Sequence, residues 1–316
     1  MDYRLIHPKK TDIEGLKRLW KVCFPDDGEE FIDYYFAERT RLDYMLAVRS
    51  DEIVSMLHVI PMRFLVRSLA DGSINSLPVG FIAGVATSPL HRKRGLANML
   101  LREAASDIAR REGYAALILS PENESFYLHA GYRTLSRRAI HTIGAEDFNR
   151  RYSGSFRNVQ NGDRFLTATG LSYIYDSYMR KGRLTCFRER TEECFCSLLH
   201  EYSLPGGVTA INSGAYALGY RAQNAGKSEI ALNEFAYIDE ESAYALIAFL
   251  LKQADTVKLP LPVSSTLLGK AEAVFALNMA IPTGDEFYRA LGCDDIDEYS
   301  RRMTESGFEP YSFELY

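Results

Sequence analysis

The sequence predicts an α/β protein: a mixed α+β sheet carrying helices, built twice in tandem, with a short C-terminal extension. Three observations carry that prediction. Residues 81–119 read as strand, basic glycine-containing turn, helix and strand. Residues 208–263 repeat the order strand, strand, strand, helix, strand. A length of 316 residues also exceeds the usual size of one compact domain. The expected divisions are 1–150, 151–268 and 269–316.

Residues 3–6 alternate like a first strand. Thr11 can cap a helix over 12–24, with Glu14 completing a capping-box pattern. Pro25-Asp26-Asp27-Gly28 is a turn, and a second helix covers 29–38. Residues 42–49 and 53–66 read as antiparallel strands joined at Ser50-Asp51-Glu52. His58, inside the second of these, reads as a satisfied, partly buried side chain sooner than as a base.

Phe81 to Val85 is an apolar run of strand type, and Pro89 rules out its continuation. Arg92-Lys93-Arg94-Gly95-Leu96-Ala97 follows, then a helix with Leu96, Leu100, Leu101, Ala104, Ala105, Ile108 and Ala109 at helical spacing. Gly113 is placed to end it. Residues 115–119 form a second apolar run, so strand, helix and strand make a parallel pair with a crossover. A helix start leaves about four N–H groups unpartnered and bears partial positive charge. Cations at Arg92, Lys93 and Arg94 oppose that dipole unless an anion offsets them, which a pyrophosphate would do. A solvated basic turn before an ordinary helix is the plainer alternative.

Arg-x-x-Gly-x-Ala between strand and helix resembles the acetyl-CoA signature of the GNAT N-acetyltransferases. The likeness runs on to Phe126-Tyr127-Leu128-His129-Ala130-Gly131-Tyr132. More narrowly, the layout is similar to the Eis (enhanced intracellular survival) acetyltransferase family. The resemblance implies tandem GNAT-like folds and acetyl-CoA as co-substrate, with no metal. It implies that Val85, Ala86 and Thr87 lie beside the acetyl group and pantetheine. Lys93, Arg94, Gly95, Leu96, Ala97 and Asn98, preceded by Arg92, would wrap the pyrophosphate, and Glu122 with Asn123 would line the far wall. Tyr127 matches the tyrosine of the family motif and is the expected general acid. Packing with Phe126 and Tyr132 as one aromatic cluster is its structural alternative. In GNAT proteins the first two helices border the acceptor site, so Asp26 could hold a substrate ammonium; capping the helix near Glu29 is the competing role. In Eis-like enzymes the terminal carboxylate reaches the acceptor site, which here points to Tyr316. The base stays open among Glu122, Glu124, Asp26 and that terminus.

Composition is consistent with this. Hydrophobic residues make up 47% and charged ones 25%, ample for buried cores. Net charge is 37 − 42 = −5, with no basic stretch beyond 91–94, which argues against nucleic acid. No apolar run approaches the roughly 18 residues of a membrane span, and the start lacks a signal-peptide pattern. Five cysteines, an odd and sparse count, suit a reducing cytoplasm. Cys194 and Cys196 read as core fillers. A homo-oligomer is compatible with all of this.

In the second half, residues 150–162 read as a connection and 188–202 as a helix. Strands fall at 208–212, 216–221, 230–238 and 257–263, with a helix from Asp239 to Lys252. No Arg-x-x-Gly-x-Ala turn precedes that helix, whose first turn is Asp239, Glu240 and Glu241. Those carboxylates would repel pyrophosphate, so this copy is expected to be structural. Residues 273–281 read as a strand and 295–304 as a helix. The expected function is acetyl transfer to a primary amine: an aminoglycoside-like or polyamine acceptor, or protein lysine. The alternatives are a non-catalytic CoA-binding or sensor module and an aminoacyl or peptidyl transferase.

Overall fold

The computed structural model describes residues 2–155, 167–181, 183–224 and 226–313. The chain opens with β1 (Arg4–Ile6), α1 (Ile13–Cys23) and α2 (Glu29–Tyr34), then β2 (Met45–Arg49), β3 (Ile53–Arg67) and β4 (Ile74–Thr87). Next come α3 (Leu96–Glu103), prolonged by further helical turns to Glu112, then β5 (Ala116–Leu119), α4 (Glu124–His129) and β6 (Arg133–Gly144). The second half supplies α5 (Ala145–Tyr152), α6 (Ala168–Lys181), α7 (Glu192–Glu201), β7 (Gly207–Ile211), β8 (Ala215–Asn224) and β9 (Lys227–Tyr237). It closes with α8 (Glu240–Leu250), β10 (Thr256–Leu261), β11 (Ala273–Pro282), α9 (Asp285–Leu291) and α10 (Ile296–Glu305).

Two compact units result. One holds Met1–Leu135 with Asn278–Tyr299; the other holds Ser136–Leu277 with Ser300–Phe313. In the first, strands run in the order β1-β2-β3-β4-β5-β11. β4 and β5 are parallel over Val79–Ile82 and Ala116–Leu119, and the remaining neighbours are antiparallel. Side chains alternate across a strand. Leu46 and Val48 of β2 therefore pack on Leu96, Leu100, Leu101 and Ile108 of α3, while Met45 and Ala47 join Leu16, Leu19 and Trp20 of α1. Leu100 and Ile108 are wholly buried, each contributing about 1.5–3 kcal/mol relative to exposure.

One irregularity shapes the first sheet. Met56 pairs with Ala86 and His58 with Ala83, so Leu57 alone faces Gly84 and Val85. This is a β-bulge, and Gly84 takes φ +58°. A Cβ there would sit 2.6 Å from Trp20 Cζ3, so only glycine fits beneath the indole. Parallel pairing of β4 with β5 stops at Ile82 and Leu119, just before the bulge.

In the second unit the order is β6-β10-β9-β8-β7. β9 and β10 are parallel over Glu229–Ala231 and Thr256–Lys258, and α8 buries Ala243, Leu246, Ile247 and Leu250 in the core. The tandem fold is thus the one expected, each unit carrying a crossover helix after its third main strand.

Several local expectations are corrected. Thr11 does not cap α1; Asp12 accepts the Lys9 amide at 2.8 Å in the turn before it and pairs with Arg49. The strand expected from Phe81 begins at Ile74, because its first half is a hairpin with β3 in which Pro78 lies opposite Arg63. The helix expected from 188 starts at Glu192, since Arg190 turns inward to a buried, two-pronged pair with Glu234 at 2.9 and 2.7 Å. Cys196 is exposed and Cys194 half-buried beside Arg188, so neither fills a core. The compact units also part at 135 instead of 150. The C-terminal segment is shared out between them, because β11 completes the first sheet against β5.

Candidate active site

The site is built where β4 gives way to α3. Beyond Thr87 the chain makes a short turn over Pro89–His91, then reaches Lys93 at φ +61° and Gly95 at φ +77°. Two left-handed residues this close re-aim the chain sharply, and the second is the helix N-cap. Gly95 brings no side chain, and no other side chain caps α3. A Cβ at Gly95 would meet nothing within 4 Å, so the space before the helix is open. The amides of Leu96, Ala97 and Asn98 therefore head a helix whose positive end is uncovered.

The cations stand around that end. Arg92 is exposed and its Nε donates to Thr87 O at 3.1 Å, tying it to the end of β4. Lys93 is exposed, and Arg94 lies over the Tyr3 ring at 6.0 Å. Ala86 is buried; its carbonyl accepts from Ser55 Oγ at 2.8 Å, and that hydroxyl also meets Thr87 Oγ1 at 2.8 Å. Val85, in the bulge, is partly buried against the α3-side core.

Alongside α3 runs a cavity of about 380 Å³, walled by Asn98 and Leu101 of α3, Ala130 after α4, Tyr132, and Ile281 and Pro282 of β11. Asn98 Oδ1 and Tyr132 Oη are both buried without a hydrogen-bond partner. Buried polar atoms are normally paired, and those left over at a cavity call for a ligand's donors and acceptors. A ligand bearing amides and a diphosphate fits: amides for the two orphaned atoms, the diphosphate for the uncovered helix end.

Tyr127 sits on α4, which ends in Gly131 at φ +99° and is locked by Tyr132 N donating to Tyr127 O at 3.0 Å. Its ring meets Phe126 at 4.9 Å and Tyr132 at 5.9 Å, both edge-on. The aromatic cluster offered as the alternative therefore exists, so the Tyr127 ring is packed as well as placed at the site. Burial, and then the charge of Glu122, push its pKa up to about 12, so the phenol keeps its proton at neutral pH.

The other candidates separate. Glu122 is exposed but close enough to act on Tyr127. Asn123 is the α4 N-cap, its Oδ1 accepting from Phe126 N at 3.2 Å and Ser125 Oγ at 3.0 Å, which gives it a structural duty. Glu124 accepts from Thr134 Oγ1 at 2.6 Å. Asp26 is exposed and caps nothing; the N-cap of α2 is Gly28. Its neighbour Asp27 is half-buried and accepts from Trp20 Nε1 at 2.7 Å, with burial pushing its pKa up. Tyr316 lies outside the described residues. His58 is buried between Tyr35 Oη at 2.9 Å and the Arg41 amide at 3.5 Å, and burial holds its pKa down to about 3, a structural histidine. What was not anticipated is Tyr132 as a wall with an orphaned hydroxyl, the Trp20–Asp27 pair, and the pairing that brings the expected strand β11 against β5. Tyr132 was readable only as part of the Gly-Tyr pair.

The second unit lacks this arrangement. Its helix α8 is capped by Asp239, whose carboxylate accepts from Ser242 N at 2.8 Å and Ser242 Oγ at 3.0 Å. Asn212 seals the same end, donating to Ser242 O at 2.8 Å.

Residues 4–135 match the family model described as an acetyltransferase (GNAT) domain. No curated protein sequence matches the chain. Among solved structures, the fold is similar to a GCN5-related N-acetyltransferase from Kribbella flavida, with TM-score 0.64 and 17% identity over 88% of this chain and 70% of that one. Eis1 from Mycobacterium abscessus gives 0.62 and 17%, over 92% and 75%. Saccharomyces cerevisiae N-myristoyltransferase with bound myristoyl-CoA gives 0.59 and 12%, over 89% and 79%. Residues 4–135 thus match a GNAT acetyltransferase domain, and the solved structures share the fold of the chain.

Proposed function

We propose that the chain moves an acetyl group from acetyl-CoA directly to a primary amine, with a small aminoglycoside-like or polyamine acceptor and an Eis-like organisation. The observation that carries this is the uncapped, glycine-headed start of α3, opening onto a cavity with two orphaned polar atoms. Acetyl-CoA supplies the thioester and a sulfur leaving group. Leu96, Ala97 and Asn98 amides with Arg92, Lys93 and Arg94 hold its diphosphate, and Asn98 Oδ1 and Tyr132 Oη meet its amides. A backbone N–H near Val85 or Ala86, where β4 has left β5, stabilises the oxyanion. Tyr127 holds a proton at Oη for the departing sulfur; its raised pKa keeps that proton in place until negative charge develops nearby. Exposed Asp26 attracts the ammonium form of the acceptor, and a carboxylate, Glu122 or that of Tyr316, takes its proton. A cytoplasmic setting belongs to the same proposal. No helix among the described residues is long and apolar enough to cross a membrane.

Thiol release measured with acetyl-CoA and a panel of amines tests the reading. Turnover with polyamines or aminoglycosides is expected. Tight acetyl-CoA binding with no release across the panel would sink it.

A further inference from the structure

The second unit holds a cation that nothing answers. Arg138 stands half-buried on β6, beside Ala139, whose Cα pairs with Leu261 of β10. Its Nε is buried with no hydrogen-bond partner, and it makes no ion pair among the described residues. Burial holds its pKa below the ordinary value, opposed by the Tyr311 phenol alone. Just past Leu261, the amides of Val263 and Ser264 donate to Glu309 at 2.6 and 3.0 Å, which brings residues 309–313 alongside the same strand end. Tyr178 of α6 reaches this segment too, its ring stacked on Phe313 at 5.9 Å. Tyr178 is 6% exposed, and its hydroxyl is likewise buried without a partner. Tyr311, fully buried, acts electrostatically on both Arg138 and Tyr178.

Two orphaned donors flanking one tyrosine are costly unless something accepts from them. We propose that Arg138 and the Tyr178 hydroxyl form a carboxylate-binding site in the second unit. A guanidinium offers paired N–H donors that match a planar carboxylate. The charge count favours a single negative charge over a phosphate dianion. Arg138 is one cation, and Glu309 already places a carboxylate near Tyr178 and Tyr311.

The test is thermal unfolding of the full chain at constant ionic strength in sodium chloride, acetate or phosphate. Acetate at 100 mM is expected to raise the Tm by about 2 °C or more over chloride. Arg138→Gln should abolish the rise while unfolding in chloride no earlier than the parent, because it removes an unpaired buried charge. Tyr178→Phe, which deletes only the hydroxyl, should reduce the rise. A variant ending at Phe313 identifies the source: a rise only in that variant assigns the carboxylate to the residues beyond 313 and still supports the site. An equal rise in Arg138→Gln, no rise in either chain length, or a phosphate effect as large as that of acetate would overturn the proposal. So would a clear loss of stability of Arg138→Gln in chloride, which marks a structural arginine.

Discussion

The two units repeat a scaffold and differ at one end of one helix. In both, a parallel strand pair stops short of a bulge: at Ile82 before Gly84 and Val85, and at Ala231 before Asn233, which interrupts the register of β8 with β9. In both, a crossover helix follows. The connection is long in the first unit, residues 88–95, and leaves the start of α3 bare. In the second it is only residues 238–239, and Asp239 fills the helix start with its own carboxylate. The strands and helix of this fold do not by themselves make a diphosphate site. On the proposed reading an unfilled helix end does, and a single capping side chain closes it.

The account built on that contrast can be broken by substitution, and the largest effect should come from the proposed general acid. Tyr127→Phe is expected to lower kcat by roughly 10²-fold or more, with acetyl-CoA affinity little changed. Near-normal turnover would return Tyr127 to the aromatic cluster. With its phenol pKa at about 12, the parent enzyme should also show no alkaline loss of kcat from this group below about pH 11.

Moving the second unit's cap into the first is the next test. Gly95→Asp places a carboxylate where a Cβ meets nothing within 4 Å, and Asp tolerates a left-handed backbone better than most residues. The KM for acetyl-CoA should rise about tenfold or more, through charge and filling of the helix end, with the fold retained on circular dichroism. An unchanged KM would mean that α3 does not hold the diphosphate.

A third test concerns stability. His58 has a folded pKa of about 3, below the ordinary 6.5, so the unfolded chain takes up its proton first. Stability should be full above pH 6.5 and fall as pH drops below it, by up to about 1.4 kcal/mol per pH unit. Urea titrations at pH 7, 6 and 5 would show this, and His58→Gln should flatten the slope. The smallest effect is expected at Asp239→Ala: about 1 kcal/mol of stability lost and no change in acetyl-CoA KM.

Much of this was legible in the sequence, and for a definite reason. The strand runs and helical spacing of 81–119 and 208–263 are local patterns, and so is the glycine turn at 92–97. What escaped was long-range or competitive. The pairing of Met279 with Leu119 leaves no local trace. Thr11 has no helix start to cap, because a short turn over Lys10–Asp12 precedes α1 and Asp12 closes that turn onto the Lys9 amide. The apolar run from Phe81 marks only the buried end of β4; residues 74–80 are strand because they pair with β3, Pro78 opposite Arg63. Resemblance places Asn123 at the cofactor, whereas its side chain caps α4, a role that the same residue type can equally fill.

The central claim is that one helix end, and only one, grips acetyl-CoA. Calorimetric titration of acetyl-CoA into the parent, Gly95→Asp and Asp239→Ala chains tests it most directly. One molecule per chain is expected, with binding weakened tenfold or more in Gly95→Asp and untouched in Asp239→Ala. Two equivalent sites, or full affinity in Gly95→Asp, would contradict it.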